Sequence, residues 1–313
     1  MGATAPGTAA GAGPGPEGLC TAAAGTGDPA APRVLLVHGL GGASTAWAPV
    51  TGDLGRDHRL LLVDLPGHGR SPVPGPSEGP DAMTPAALGR RLLALAVRLR
   101  GEDGRPVHLV GHSFGGWVAL EAAARDDPAD PALAGLVALA PAGLWRSARR
   151  RPPLLPTGQR LARWARHLPE GFVTGALGRT LAFTATSAAP RALPVALARD
   201  ALEAVASAPG YPAADAALAA GAFTRAADVR VPVVVVTGAR DRVLPPAYLR
   251  RELAPPGARW ERWERCGHVP AWDRPGDVAR LVRAHVAAHE RWRGREHGDE
   301  RGDDGRAAPA GRT

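Results

Sequence analysis

The stretch Gly111-His112-Ser113-Phe114-Gly115 stands where an apolar run, Val107 to Val110, gives way to an alanine-rich segment. A serine between small residues at such a corner is either a nucleophile or part of a tight turn. The run before it reads as strand and the segment after it as helix, which is the setting of G-x-S-x-G, where a strained turn lifts the hydroxyl clear of the sheet. The helix N-terminus beneath that hydroxyl also favours developing negative charge. The context selects the nucleophile. Serine at neutral pH needs a general base, and the base needs a group that holds its tautomer and stabilises the imidazolium. Asp and His are the residue types for these tasks, and the chain offers several of each, including 10 His.

The elements that must position these groups follow from the hydrophobic pattern. Val34 to Val37, Leu60 to Leu65, Val107 to Val110, Leu136 to Leu139 and Val231 to Val236 are short, nearly continuous apolar runs, as strands covered on both faces should be. Thr84-Pro85 offers an N-cap with proline at the first helical position, and Leu88, Leu92, Leu95 and Leu99 then recur on one helical face. Alternating strand and helix predicts an α/β fold: a mostly parallel central sheet with helices on both faces. Ligands in such folds bind beyond the carboxyl ends of the strands. Between residues 143 and 224 the alternation stops, and helix-like stretches such as Gln159 to Leu168 predict a helical insertion lying over the site as a cap or lid. The core is therefore expected from 31–142 and 225–293. Residues 1–30 and 294–313, rich in Gly, Ala and Pro or in charge, are expected to be disordered tails.

Composition narrows the function classes. A net charge of +8 comes from 38 basic residues, all Arg, spread along helix faces and mixed with acidic residues. With no nucleic-acid-binding motif beside the charge, no nucleic-acid partner is expected. Two cysteines do not make a disulfide framework, and the N-terminus lacks the basic and apolar regions of a signal peptide. No apolar run approaches the ~20 residues of a membrane span. These readings point to the cytoplasm.

With these elements in place, the chain resembles the cap-bearing branch of the α/β-hydrolase fold family over about Arg33 to Arg291. The landmarks are VLLVHGLGG at Val34 to Gly42, LLLVDLPGHGRS at Leu60 to Ser71, the serine corner, VPVVVVTGARDRVLP at Val231 to Pro245, and CGHVPAWDRP at Cys266 to Pro275. The resemblance implies the chain order serine, acid, histidine, which falls on Ser113, Asp241 and His268. It also implies an oxyanion hole of main-chain N–H groups, one from Phe114 and one from Leu40 in the loop after His38-Gly39. The family has two strands before the His-Gly strand, whereas residues 1–32 offer a single weak candidate near Leu19 to Ala24.

Serine at the corner, where epoxide-opening and dehalogenating relatives carry aspartate, implies acyl-enzyme chemistry on an ester, thioester or amide. Hydrolytic C–C cleavage and cofactor-free perhydrolysis are alternatives on the same residues, and a ligand-binding protein with little turnover is an alternative of another class. The expected partner is a small to medium hydrophobic molecule, with no metal and no cofactor. Trp47, Trp117 and Trp272 are either pocket or core residues. Trp145, Leu154, Leu155, Leu161, Trp164, Phe172, Val173 and Phe183 are candidates for an apolar ceiling. Arg146 and Arg149 to Arg151 read as solvated surface. Asp64 and Ser71 read as turn organisers, and Cys266 as a buried small side chain. His285 and His289, four apart on the last helix, lack a metalloprotease H-E-x-x-H pattern and read as an exposed face.

Overall fold

The computed structural model describes residues 13–146, 158–165 and 171–299. The strands are β1 (Cys20–Gly25), β2 (Arg33–Val37), β3 (Arg59–Asp64), β4 (Val107–His112), β5 (Leu133–Leu139), β6 (Val233–Gly238) and β7 (Arg259–Trp263), and the five apolar runs fall on β2 to β6. They make one sheet in the order β1-β3-β2-β4-β5-β6-β7. Every neighbouring pair is parallel except β1 with β3. The chain leaves β2 toward β3 and then crosses back to β4, so the connections diverge there and leave a crevice at the carboxyl ends of the strands.

Both faces are covered, as the continuous apolar runs require. On one side Leu35, Val37, Leu109, Leu136 and Val235 pack against α2 (Pro85–Asp103) and α3 (Phe114–Ala123). On the other side Val34, Leu36, Val110, Val137 and Val236 meet α1 (Ala48–Leu54), α9 (Pro270–Asp273) and α10 (Pro275–Asp299). The start of α2 matches the sequence signal: Thr84 Oγ1 accepts the Ala87 N–H at 3.3 Å, and Pro85 follows the cap. The same helix ends at Gly104, whose φ of 73° is the left-handed cap that glycine adopts without strain.

Between β5 and β6 the described residues form helices and no strand: α4 (Gly158–Ala165), α5 (Gly171–Thr174), α6 (Ala176–Phe183), α7 (Val195–Ser207) and α8 (Tyr211–Ala220). The two ends of this insertion are tied together at its root. Phe223 N–H donates to the Gly143 carbonyl at 2.9 Å, and Trp145 Nε1–H donates to the Gly221 carbonyl at 2.9 Å. The Trp145 ring stands edge-on to Trp117, with centroids 5.8 Å apart. Leu154, Leu155, Leu168 and Arg149 to Arg151 lie outside the described residues, as do residues 1–12 and 300–313; nothing is described of the Leu161 side chain.

Three expectations are corrected. The N-terminal tail does not run to residue 30, because Cys20–Gly25 pairs antiparallel along the whole of β3. Its Cys20 N–H is received by Ser71 Oγ at 2.7 Å. This is the weak candidate near Leu19 to Ala24; an edge strand needs only one covered face, so an Ala-rich segment can serve. At the other end, α10 continues to Asp299, beyond 293, with the helix formers Arg295 and Glu296 carrying it on despite Gly294 and Gly298. Finally, His285 and His289 do not lie on an exposed face. They continue the inward stripe of Val278, Val282 and Val286, and their rings come within 6.0 and 5.4 Å of the buried His108 ring. Burial pushes His285 down to about 4 and His108 well below the usual imidazole range. No helix among the described residues is long and apolar enough to cross a membrane.

Trp145 is 1 % exposed and joins the insertion to the core. Trp145→Ala leaves a cavity there and should cost about 3–5 kcal/mol in chemical denaturation; a loss below about 1 kcal/mol would show that the root is not a packed junction.

Candidate active site

The corner between β4 and α3 places Ser113 with φ 52° and ψ −116°. A non-glycine residue there carries strain on the order of 1–3 kcal/mol and persists only where its surroundings hold it. Three main-chain bonds do so. Ser113 N–H donates to the Leu139 carbonyl at 2.9 Å, while the Ser113 carbonyl accepts from Ala142 N–H at 2.9 Å and Trp117 N–H at 3.1 Å. The flanking glycines answer a need for space rather than for an unusual φ. A Cβ on Gly115 would lie 2.2 Å from the His38 carbonyl oxygen, and one on Gly111 would lie 2.5 Å from the Gly115 carbonyl oxygen.

Ser113, His268 and Asp241, far apart in the chain, come together at the carboxyl ends of β4, β7 and β6. His268 Nε2 is 2.9 Å from Ser113 Oγ, and His268 Nδ1 is 2.8 Å from Asp241 Oδ2. The other carboxylate oxygen, Asp241 Oδ1, accepts the N–H groups of Val243 and Leu244 at 2.8 and 2.7 Å. With both oxygens engaged the carboxylate cannot swing, so the imidazole is held as the tautomer with its proton on Nδ1 and its lone pair toward the serine. All three residues are buried, Ser113 at 7 % exposure. Such an arrangement can withdraw a proton from a hydroxyl and return it to a leaving group.

A second polar cluster shapes the loop after β2. Asp64, at the end of β3, accepts the Ser44 N–H at 2.6 Å and the Arg70 N–H at 3.1 Å, tying the loops after β2 and β3 to each other. Ser71 Oγ donates to the Asp64 carbonyl at 2.6 Å, so both residues organise turns, as their setting predicts. His38 Nε2 accepts the Leu65 N–H at 3.0 Å, so its proton lies on Nδ1 and is donated to the Gly39 carbonyl at 2.8 Å. Gly39 packs against the serine; a Cβ there would lie 3.1 Å from Ser113 Cβ. Leu40 follows at the tip of this loop and Phe114 opens α3. Gly41 (φ 70°) turns the chain beneath the Tyr211 ring and Val205 of the insertion.

Sequence reasoning passed over His112. Its Nε2–H donates to the His268 carbonyl at 2.8 Å, and its ring lies 4.9 Å from the His268 ring. The imidazole keeps an edge at the surface, yet desolvation, followed by the charge of a protonated His268, drives it down to about 3. It is therefore a neutral donor that holds the loop carrying His268. Only its adjacency to the serine hinted at this, since the acceptor lies 156 residues away.

The aromatic candidates scatter. Trp47 packs in the core beneath β2 and β4, and Trp117 is buried with its indole N–H on Glu121 Oε1 at 3.0 Å. Trp145 closes the root of the insertion, and Trp164 is exposed on α4. Phe172 is half-buried against Gly178. Trp272 is half-buried beside the His268 loop, with its N–H on the Ala46 carbonyl at 3.0 Å and its ring edge-on to Phe183. A cavity of about 540 Å³ opens next to Asp241, lined by Thr180, Thr184, Ser187, Arg191, Arg240 and Arg242; Ser113 is not among its lining residues. Cys266 is buried and its thiol is pushed up to about 12, chiefly by desolvation, so it is inert as a nucleophile.

The chain is similar to known proteins in sequence and fold. The model of the alpha/beta hydrolase family matches residues 34–281. A pimeloyl-(acyl-carrier protein) methyl ester esterase of Aromatoleum aromaticum is 31% identical over 272 residues, spanning 80% of this chain and 96% of the relative. Among solved structures, the enol-lactonase of Burkholderia xenovorans LB400 superposes with a TM-score of 0.65 at 25% identity, covering 86% of this chain and 96% of that one. A thermophilic esterase from Thermogutta terrifontis gives 0.61 at 26% identity, covering 87% and 93%.

The buried histidines of this end set a pH dependence. Burial lowers His38, and burial together with His38 lowers His68 to about 4. Both stay neutral in the fold where the unfolded chain would protonate them, below about 6.5. Unfolding then takes up protons, so stability falls as pH drops below about 6.5, and His68, neutral in the fold down to about 4, contributes up to about 1.4 kcal/mol per pH unit of that slope. Denaturation midpoints at pH 7, 6 and 5 check this; a flat series would show that the imidazoles are hydrated in the fold.

Proposed function

The chain belongs to the alpha/beta hydrolase family and is an esterase-like hydrolase, and we propose that it cleaves carboxylic esters through an acyl-enzyme on Ser113. The observation that carries this reading is the unbroken chain from Ser113 Oγ through His268 to an Asp241 whose second oxygen is fixed by two main-chain donors. In the proposed cycle His268 Nε2 takes the hydroxyl proton as Ser113 Oγ attacks the ester carbonyl. Asp241 stabilises the imidazolium. The N–H groups of Leu40 and Phe114 receive the oxyanion, a role supported by the close approach of Gly39 to Ser113 and by the position of Phe114 at the head of α3. The tetrahedral intermediate collapses as His268 returns the proton to the departing alkoxide, leaving acyl-Ser113. Water, deprotonated by the same nitrogen, attacks the acyl carbonyl and releases the acid.

The helices of residues 143–224 serve as the cap in this reading, because Tyr211 and Val205 stand directly over the Gly41 turn. Phe183, Leu197 and Trp272 form an apolar patch near the His268 loop, which suits a hydrophobic acyl or alcohol group. The relative's name adds an ester of a carrier-bound acyl chain as the first substrate class to try.

A fluorophosphonate probe and a p-nitrophenyl ester series of increasing acyl length test the proposal. Wild type should label and turn over, whereas Ser113→Ala should lose labelling and at least about 10⁴-fold in kcat. Labelling that survives in the folded Ser113→Ala protein would remove Ser113 as nucleophile. A folded wild type that neither labels nor turns over any ester would leave a ligand-binding role for the same fold.

A further inference from the structure

The start of β4 carries a second cluster at the end of the sheet away from Ser113. We propose that His108, His289 and Glu290 bind a divalent first-row metal ion, Zn²⁺ by ligand type. His108 is 1 % exposed, and neither of its ring nitrogens has a hydrogen-bond partner among the described residues. A histidine kept only for packing finds an acceptor for its N–H, since an unmet buried donor costs about 1–3 kcal/mol. Here the sheet and α10 supply none. What they supply instead is two further imidazoles and a carboxylate. One donor atom from each of His108, His289 and Glu290 lies within 4.8 Å of the others.

A tetrahedral ion with bonds of about 2.0–2.2 Å holds its ligands about 3.4 Å apart, so loading draws these donors together by up to about 1.4 Å. His289 and Glu290, both half-buried on α10, can supply that movement by side-chain rotation. His285 flanks the site one turn earlier, its Nε2 also lacking a partner among the described residues and lying over Gly135, where a Cβ would come within 2.3 Å. A small residue on β5 leaves the room in which that ring stands. Arg105 reaches Glu290 at 3.5 Å, a loose contact at the surface that metal binding displaces. Two imidazoles with one carboxylate suit Zn²⁺, Co²⁺ or Ni²⁺ rather than Mg²⁺ or Ca²⁺. The ion would staple α10 to the start of β4, about 16 Å along the strand from Ser113. It is therefore a structural site, separate from ester hydrolysis.

The test uses the full, untagged chain stripped with a chelator. Calorimetric titration with Zn²⁺ should give one site per chain, and Co²⁺ should develop the visible absorption of a low-coordinate ion. Zn²⁺ at a hundredfold over its Kd should raise Tm by about 5 °C. Glu290→Gln, at the rim, should weaken binding at least tenfold, and His289→Ala should abolish the Co²⁺ band. His108→Leu fills the same space with apolar atoms, should stay folded, and should also lose the site. Ester turnover should be the same with and without metal. No saturable site in the wild type, or binding of unchanged affinity in His289→Ala and His108→Leu, overturns the proposal and assigns any bound metal to other side chains.

Discussion

A serine held at φ 52° between a parallel strand and a helix is the constraint around which the rest of this molecule is arranged. The conformation is unfavourable by itself, so it exists only because β5 receives its N–H, Ala142 and Trp117 donate to its carbonyl, and no side chain intrudes at Gly111 or Gly115. Each of these supports depends on another element being in register. The Leu139 carbonyl is available because β4 and β5 pair in parallel, and the His38 carbonyl approaches Gly115 because β2 lies on the other side of β4. The sheet is thus the frame that keeps one strained residue in place.

Around that corner the polar work falls largely to the main chain. Asp241 is immobilised by two backbone N–H groups, Asp64 by two more, and His38 bridges a backbone donor and a backbone acceptor. Loops at the carboxyl ends of parallel strands present such groups because the sheet no longer uses them. Buried carboxylates and imidazoles satisfied in this way lose little conformational freedom when a substrate arrives, which is the preorganisation that the proposed chemistry draws on. His112 extends the pattern by holding the carbonyl of His268 itself.

The two ends of the sheet carry different chemistry. At the carboxyl ends the imidazoles have defined partners and a helical insertion above them. At the opposite end His108 is enclosed by apolar strands and α10 with its ring nitrogens unmatched among the described residues, and two imidazoles of α10 face it. Both ends bury histidine, and burial is the largest cause that lowers His38, His68 and His112 at one end and His108 and His285 at the other. What separates them is that His38 and His268 are hydrogen-bonded through both ring nitrogens, whereas both of His108 lack a partner among the described residues.

Continuous apolar runs were enough to read five strands and their parallel arrangement, because a strand covered on both faces has no polar positions to hide it. The serine corner was legible for a related reason: the strained turn demands small neighbours within five residues, a purely local condition. Asp241 and His268 were reachable only through the order of landmarks, since many Asp and His sit in loops and nothing local distinguishes them. The edge strand β1 left only a weak signal near Leu19 to Ala24, because one covered face leaves Ala and Thr acceptable. Tertiary structure alone decided which tryptophans fill the core, that His112 meets a carbonyl 156 residues away, and that His285 and His289 turn inward onto His108. Local backbone geometry writes itself into neighbouring residue types, whereas a contact between distant side chains depends on how helices and strands pack, and that leaves no mark at either position taken alone.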